Sequence, residues 1–131
     1  ETAAHASVDI RYPVTKDYQW IFETAAKAAA AFGLETTIPN RVDPLYIPED
    51  QPLIQRLKEA YESATGEPCV LYSTGGGTYA RHTNNRAVGF GPEFPGTIDN
   101  HAHNCNEQIS LENFFTHAQI CLEAMYLLFT K

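Results

Sequence analysis

Basic residues are scarce in this sequence, and long apolar runs are missing from it. Nine Lys and Arg stand against 16 Asp and Glu, which sets the formal net charge at −7. A nucleic-acid surface needs a basic face to neutralise phosphates, so this composition argues against nucleic acid as a partner. No apolar run reaches the roughly 18 to 20 residues of a membrane span, and no signal-peptide pattern opens the chain. We therefore expect no membrane partner either.

Cysteine is also rare, with three residues and no two-residue pairing motif among them. An odd number of unpaired cysteines is typical of a reducing compartment, so we expect a cytoplasmic location. Cys69 and Cys121 stand among apolar neighbours and are expected to fill core space. Cys105 is ambiguous, because it lies close to His103.

The periodicity of the apolar residues predicts an α/β fold. Helices are expected after the capping residues Thr15, Asp50 and Ser110, because apolar side chains then recur every three to four positions. Gly33 and Gly66 are expected to end the first two helices. Strands are expected in residues 8–12, 34–38, 68–72 and 87–90, which are rich in β-forming residues. The stripe of the last helix is expected to face the core: Leu111, Phe114, Phe115, Ala118, Leu122, Met125 and Phe129.

One candidate site is a glycine-rich loop. Residues 73–81 read Ser-Thr-Gly-Gly-Gly-Thr-Tyr-Ala-Arg, directly after the expected strand 68–72. Glycines let backbone N–H groups approach an anion, and Arg81 adds a planar cation suited to a carboxylate. The alternative is a tight turn that needs glycine only for a positive φ. The loop matches neither the phosphate-binding lysine loop nor the dinucleotide-binding glycine pattern.

A second candidate site lies in residues 99–107, which contain two histidines and two carboxylates. On an extended segment the spacing of His101 and His103 would direct both imidazoles to one side, as in a zinc site. Asp99 and Glu107 could then orient the rings. A zinc site needs about three protein ligands, however, and nothing else in the chain clusters in this way. Histidines that only form hydrogen bonds within a loop are the alternative.

Three motifs in one order carry a resemblance to a known family. They are Val-Asp-Ile-Arg-Tyr-Pro at 8–13, Gly-Gly-Gly-Thr-Tyr-Ala-Arg at 75–81, and Phe-Pro-Gly at 94–96 followed by Asp99 and His-Asn-Cys-Asn-Glu at 103–107. Together they resemble the C-terminal part of peptidase V-type dipeptidases. These are zinc metallopeptidases with two metal ions, related to carnosinase, aminoacylase and succinyl-diaminopimelate desuccinylase. The resemblance covers nearly the whole chain after Ser7.

The resemblance implies a division of the chain into parts of two domains. Residues 1–7 would be disordered or a remnant, and residues 8–43 would be the strand-helix-strand end of a lid domain. Residues 44–52, with their prolines, would be the hinge. Residues 53–131 would be the last segment of the catalytic α/β domain, an αβ-loop-βα arrangement. The chain is then expected to be a fragment of a longer enzyme.

The resemblance also implies roles for individual residues. His103 would be one zinc ligand, since it stands four positions before Glu107, although His101 is an alternative. Gly75, Gly76, Gly77, Thr78 and Arg81 would hold the free carboxylate of a dipeptide substrate. The family's His-x-Asp motif, bridging aspartate and glutamate pair are missing from this sequence. The fragment alone is therefore expected to bind zinc weakly and to hydrolyse nothing.

Two other functions fit the same residues. The chain could be a non-catalytic module that binds small carboxylates or peptides through the glycine loop. It could also be a structural or assembly fragment. For the dipeptidase fragment we expect a homo-oligomer, because surfaces that are internal in the complete enzyme would be exposed in the fragment.

Overall fold

The computed structural model describes residues 3–91, 94 and 99–130. Among these residues, three α-helices and one short 3₁₀ helix form: α1 (Tyr18–Ala30), α2 (Pro52–Thr65), the 3₁₀ helix (Tyr79–His82) and α3 (Leu111–Thr130). The chain divides into two compact units. The first comprises Glu1–Tyr46 and Ser73–Val88, and the second comprises Ile47–Tyr72 and Gly89–Lys131.

Local capping explains where the helices begin and end. Asp17, rather than the expected Thr15, caps α1 by accepting a hydrogen bond from the Trp20 N–H at 3.1 Å. Pro52 opens α2, a position where its missing N–H costs nothing, and Gly66 ends the helix with a φ of 72°. Ser110 caps α3 as predicted, since its Oγ accepts from the Asn113 N–H at 3.3 Å.

The second unit is organised around the packing of α2 against α3. One face of α2 is apolar and the opposite face is polar, so the apolar face can be buried while the polar face stays in contact with water. On α3, Ile120 is fully buried. The side chains that this contact buries are Ile54, Leu57, Ala60 and Tyr61 of α2 and Ile120, Ala124 and Leu127 of α3.

The stripe expected to face the core from α3 lies on the opposite side. Leu122 is 68% exposed and Phe129 is 86% exposed, whereas Ile120 and Leu127 are buried. The prediction of the buried face was wrong because α3 carries large apolar side chains on two sides, so periodicity alone does not choose between them. We call the exposed side the outer face of α3, and it consists of Leu111, Phe115, Leu122, Met125, Tyr126 and Phe129.

The first unit is held by surface aromatic and ionic contacts. The rings of Tyr12, Tyr18 and Phe22 follow one another at centroid distances of 6.3 and 6.4 Å. The guanidinium of Arg41 lies over the Tyr18 ring at 4.0 Å, and its Nη2 donates to Asp43 Oδ1 at 2.7 Å. These contacts attach the segment after α1 to the helix itself.

The predicted α/β fold is wrong, because the described residues contain helices and no strand or sheet. Residues 8–12, 34–38, 68–72 and 87–90 form no ladder, and Val8 and Val70 are each 77% exposed. High β-propensity reports how well a side chain fits a half-buried pleated surface, and it needs a paired neighbour to take effect. In residues 68–72 the Cys69 N–H donates to the Glu62 side chain at 3.0 Å instead of to a neighbouring strand.

The described helices include none that is both long enough and apolar enough to cross a membrane.

Candidate functional site

The glycine loop lies in the first unit and is attached to the N-terminal part of the chain. Arg11 Nη1 donates a 2.7 Å hydrogen bond to the carbonyl oxygen of Gly75, across 64 positions of sequence. Arg11 also forms an exposed ion pair with Asp9 at 3.4 Å. Within the loop, the Gly76 N–H donates to Thr74 Oγ1 at 3.1 Å. Two groups therefore hold the loop in position: the guanidinium of Arg11, which comes from another segment, and the hydroxyl group of Thr74, which belongs to the loop itself.

The guanidinium of Arg81 lies against the same loop. A Cβ atom built on Gly77 would stand 2.5 Å from Arg81 Nη1, closer than real Cβ atoms approach, and 3.1 Å from Cζ, which is a tight contact. Gly33 and Gly66 are the glycines with positive φ among the described residues, so the triple glycine is not explained by a tight turn. A side chain on residue 77 would instead displace the guanidinium of Arg81 from its present position.

The direction of the Arg81 side chain is set by its neighbour in the 3₁₀ helix. Arg81 Nε donates to His82 Nε2 at 3.2 Å. Ala80, between the loop and this pair, is buried and anchors the short helix. Two guanidinium groups, those of Arg11 and Arg81, thus border one loop of three glycines.

Several backbone donors of the loop remain open. Within the described part of the chain, the N–H groups of Gly75, Gly77 and Thr78 donate to no protein acceptor. N–H groups beside guanidinium groups can bind an anion, and a guanidinium can give a carboxylate two parallel hydrogen bonds. The geometry of the loop therefore suits a small carboxylate.

Sequence reasoning placed Arg81 at this loop but missed Arg11. Arg11 belongs to the Val-Asp-Ile-Arg-Tyr-Pro motif that carried the resemblance, yet no local pattern links it to a glycine 64 positions away. The motif itself was the one available signal.

The histidine loop lies in the second unit, and its backbone is turned rather than extended. His101 and His103 have φ values of 54° and 65°, in the left-handed region that histidine enters at some cost. The expectation that an extended segment directs both imidazoles to one side is therefore wrong. Asn106, with a φ of 60°, adds a third such residue.

Side chains and backbone close this loop on itself. Asp99 Oδ1 accepts from the His101 N–H at 2.9 Å, and Asn100 Oδ1 accepts from the Ala102 N–H at 3.0 Å. The Gln108 N–H then returns to the carbonyl oxygen of Asn100 at 2.9 Å. Asp99 thus orients backbone and not an imidazole, and both histidines are exposed.

The residues present do not make a zinc site by themselves. In the described ranges, no group of three or more His, Cys, Asp or Glu side chains is close enough to hold a metal ion. Catalytic zinc is held by about three protein ligands, and His103 offers one. Any zinc bound through His103 therefore needs ligands from outside the described part of this chain.

Two open surface depressions lie elsewhere. One is lined by the charged side of α2, including Gln55, Lys58 and Glu62, and another by residues around Tyr61 and Thr116. Neither includes a residue of the glycine loop or of the histidine loop.

Comparison with known proteins connects the chain to dipeptidases. It is 31% identical over 119 residues to a protein of Staphylococcus haemolyticus that is named a "putative dipeptidase". That alignment covers 91% of this chain and 25% of the relative. Proteins of the same name in Staphylococcus aureus strains USA300 and NCTC 8325 are 31% identical over 126 residues, which is 96% of this chain and 26% of each relative. The similarity supports a relationship to a dipeptidase family.

The chain spans about a quarter of the length of these curated relatives. No family profile matches it. No solved structure matches it either.

Proposed function

We propose that this chain is the part of a peptidase V-type zinc dipeptidase that holds the substrate's free carboxylate and supplies one zinc ligand. The observation that carries the proposal is the pair of guanidinium groups at the glycine loop, with Arg11 on Gly75 and Arg81 against Gly77. The similarity to "putative dipeptidase" proteins over nearly the whole chain supports the reaction class.

Each group at the loop has a distinct part in binding. Arg81 gives the carboxylate two parallel hydrogen bonds, and the open N–H groups of Gly77 and Thr78 add further donors. Arg11 does not need to touch substrate, since its hydrogen bond to Gly75 holds the loop in position. A carboxylate fixed at this loop favours short peptides, because the scissile bond then lies at a set distance from the free C-terminus.

His103 is the proposed zinc ligand, with the remaining ligands supplied from outside the described residues. When two zinc ions are bound, they supply polarisation of the peptide carbonyl and activation of a water molecule. This chain's own contribution is to bind and orient substrate. We therefore expect the isolated chain to hydrolyse no dipeptide.

The test is binding of a dipeptide to the chain itself, with the C-terminal amide of the same dipeptide as the uncharged comparison. The free acid should bind more tightly than the amide. Arg81→Lys should weaken binding of the free acid by roughly 10- to 100-fold, because a charge-assisted bidentate contact becomes a point contact. Arg86→Lys, on the same segment but outside the loop, is the matched control and should change nothing.

Equal affinities for acid and amide would contradict the carboxylate role. In a longer protein that contains this region, Arg81→Lys should lower kcat/KM for dipeptides while the zinc content stays the same. Loss of zinc in that variant would place Arg81 at the metal rather than at the carboxylate.

A non-catalytic carboxylate-binding module is the second candidate, because the glycine loop is built from residues of one unit and needs no metal. Its signature would be the same acid-over-amide preference with no dipeptide turnover in any longer protein that carries the region.

A further inference from the structure

Among the described residues, His82 is the one that accepts a hydrogen bond from the side chain of Arg81. Arg81 Nε donates to His82 Nε2 at 3.2 Å. A guanidinium carries five N–H donors in a planar fork, so this bond uses one donor and leaves the four of Nη1 and Nη2. Within the part of the chain that the structure describes, those four donate to no protein acceptor. The imidazole therefore holds one edge of the guanidinium and leaves another edge open.

The open edge of the guanidinium is the one next to the glycine loop. A carboxylate can take two parallel hydrogen bonds at the edge of Nε and Nη2 or at the edge of Nη1 and Nη2. Because Nε is bonded to His82, the second edge remains. A Cβ atom on Gly77 would lie 2.5 Å from Nη1 but 3.6 Å from Nε. The edge that His82 leaves open therefore lies against Gly77, whose own N–H is also open.

A neutral partner leaves the positive charge of Arg81 available. Arg11 and Arg41 each form an ion pair with an aspartate two positions away, and each pair largely cancels its own charge. Arg81 has no such carboxylate among the described residues, and residues 73–88 contain no Asp or Glu. An imidazole nitrogen that accepts a hydrogen bond brings no negative charge. The guanidinium is thus fixed in direction while its charge stays free to act on a ligand.

We propose that His82 is a positioning residue for carboxylate recognition, which holds Arg81 by Nε so that the edge of Nη1 and Nη2 meets the carboxylate. The inference rests on the proposed function, since the carboxylate is that of the dipeptide. It assigns the contact to one edge of the guanidinium and the direction of that edge to one imidazole. His82 acts through Arg81 and does not need to touch the substrate. An arginine that is already held loses less side-chain freedom on binding, which favours affinity.

The test compares His82→Phe with His82→Gln in calorimetric binding of a dipeptide and of its C-terminal amide to the complete chain. Phenylalanine keeps a ring but has no acceptor. Glutamine has no ring, but its acceptor oxygen is as many bonds from Cα as Nε2 of histidine. The free acid should bind about 3- to 10-fold more weakly to His82→Phe than to the wild type. His82→Gln should stay within about twofold of the wild type, and the amide should bind all three proteins alike.

A packing role for the ring predicts the opposite order of the two variants. His82 is exposed, so its ring has little to pack against. If packing nevertheless decided the affinity, His82→Phe would bind the free acid like the wild type and His82→Gln would bind it more weakly. That order, or an equal loss in both variants, would overturn the inference.

The hydrogen bond itself can be measured without any dipeptide. In the ¹⁵N-labelled chain, the nuclear magnetic resonance signal of the Arg81 Nε–H is identified by its absence in Arg81→Lys. Exchange of this proton with solvent should be slower in the wild type and in His82→Gln than in His82→Phe. Equal exchange in the wild type and His82→Phe would overturn the inference, whatever the binding data show.

Failure of the inference can be told apart from failure of the proposed function. A wild-type chain that prefers the free acid, with a preference that His82→Phe keeps, would overturn the role of His82 alone. A wild-type chain that binds acid and amide equally would contradict carboxylate binding at the glycine loop, and the inference would fall with it.

Discussion

The guanidinium of Arg81 lies where a side chain on residue 77 would have to go, and this contact makes Gly77 different from its two glycine neighbours. A Cβ atom on Gly75 would meet nothing within 4 Å, and one on Gly76 would meet only Thr74 Oγ1 at 3.5 Å. At the residue scale, therefore, the three glycines are not equivalent.

Gly77→Ala should displace Arg81 without unfolding the chain. The clashing atoms belong to the far end of a flexible side chain, and residue 77 does not have a positive φ, so the free energy of unfolding should fall by less than about 1 kcal/mol. Dipeptide binding should weaken about 10-fold as the bidentate contact is lost. Isothermal calorimetry on both variants checks this, with Gly75→Ala as the control that should bind like the wild type. Equal losses in the two variants would count against the contact.

Ionisation of the Cys69 thiol is expected to make the free energy of unfolding depend on pH in the alkaline range. Burial raises the pKa of its thiol above the ordinary value of 9.0, the Glu62 carboxylate raises it further, and Lys58 opposes the change. A raised pKa means that the folded state favours the protonated thiol. The contribution to stability is then complete below pH 9 and declines as the pH rises above it.

We therefore expect the free energy of unfolding to fall as the pH rises above about 9 in the wild type, and to fall less in Cys69→Ala. Denaturant titrations at several pH values measure it. Cys105→Ala, which changes an exposed cysteine, should behave like the wild type. A slope in Cys69→Ala as steep as in the wild type would assign the effect to other groups.

At the scale of the helices, the contact between α2 and α3 is the core of the second unit. Ile120 is fully buried in it, whereas Leu122, two positions on, is 68% exposed. Replacement by alanine removes three carbon atoms from each side chain. A difference in stability between the two variants therefore reports the difference in burial and not a difference in the atoms removed.

Ile120→Ala should lower the free energy of unfolding by about 2–4 kcal/mol, because it removes buried carbons and leaves a cavity. Leu122→Ala should cost less than about 1 kcal/mol, because its side chain is already 68% exposed. Urea titrations followed by circular dichroism give both values. If Leu122→Ala proved as costly as Ile120→Ala, the buried face of α3 would be wrongly assigned.

The helices could be predicted from sequence where their signals are local. The glycine that ends α2 and the serine that caps α3 act on their nearest neighbours, and both predictions are confirmed. The buried face of α3 could not be predicted, since Ile120 and Leu122 are equally apolar and α2 decides between them. The strands failed for a related reason, because propensity in residues 68–72 says nothing about whether a partner is present.

The residues of the candidate site also divide into those with a local sequence signal and those that depend on a distant contact. The glycine segment and Arg81 could be found from sequence because they are contiguous, whereas Arg11 could not, because its link to Gly75 spans 64 positions. The roles of His103, Arg81 and the glycines in zinc and substrate binding stay predictions.

At the scale of the whole molecule, the exposed area has a thermodynamic counterpart. Unfolding usually raises the heat capacity by 12–15 cal/mol/K per residue, or about 1.6–2.0 kcal/mol/K for a chain of this length. A chain that buries little apolar surface has less to expose.

We expect a heat-capacity change of unfolding below about two-thirds of that range, measured by scanning calorimetry on the wild-type chain. An ordinary value would mean that the chain buries as much surface as an independent domain.

The hydrogen bond between Arg11 and Gly75 has a consequence for the order of events during synthesis. The first unit is discontinuous, with residues 47–72 inserted between its two parts. A ribosome releases Arg11 long before Gly75, so the N-terminal part must wait, incomplete, while α2 emerges. The contact also closes a long loop, which loses more chain entropy than the local turns of α2. The two parts of the first unit are therefore synthesised at different times. The contact between Arg11 and the glycine loop can form only after residues 47–72, which belong to the second unit, have been synthesised.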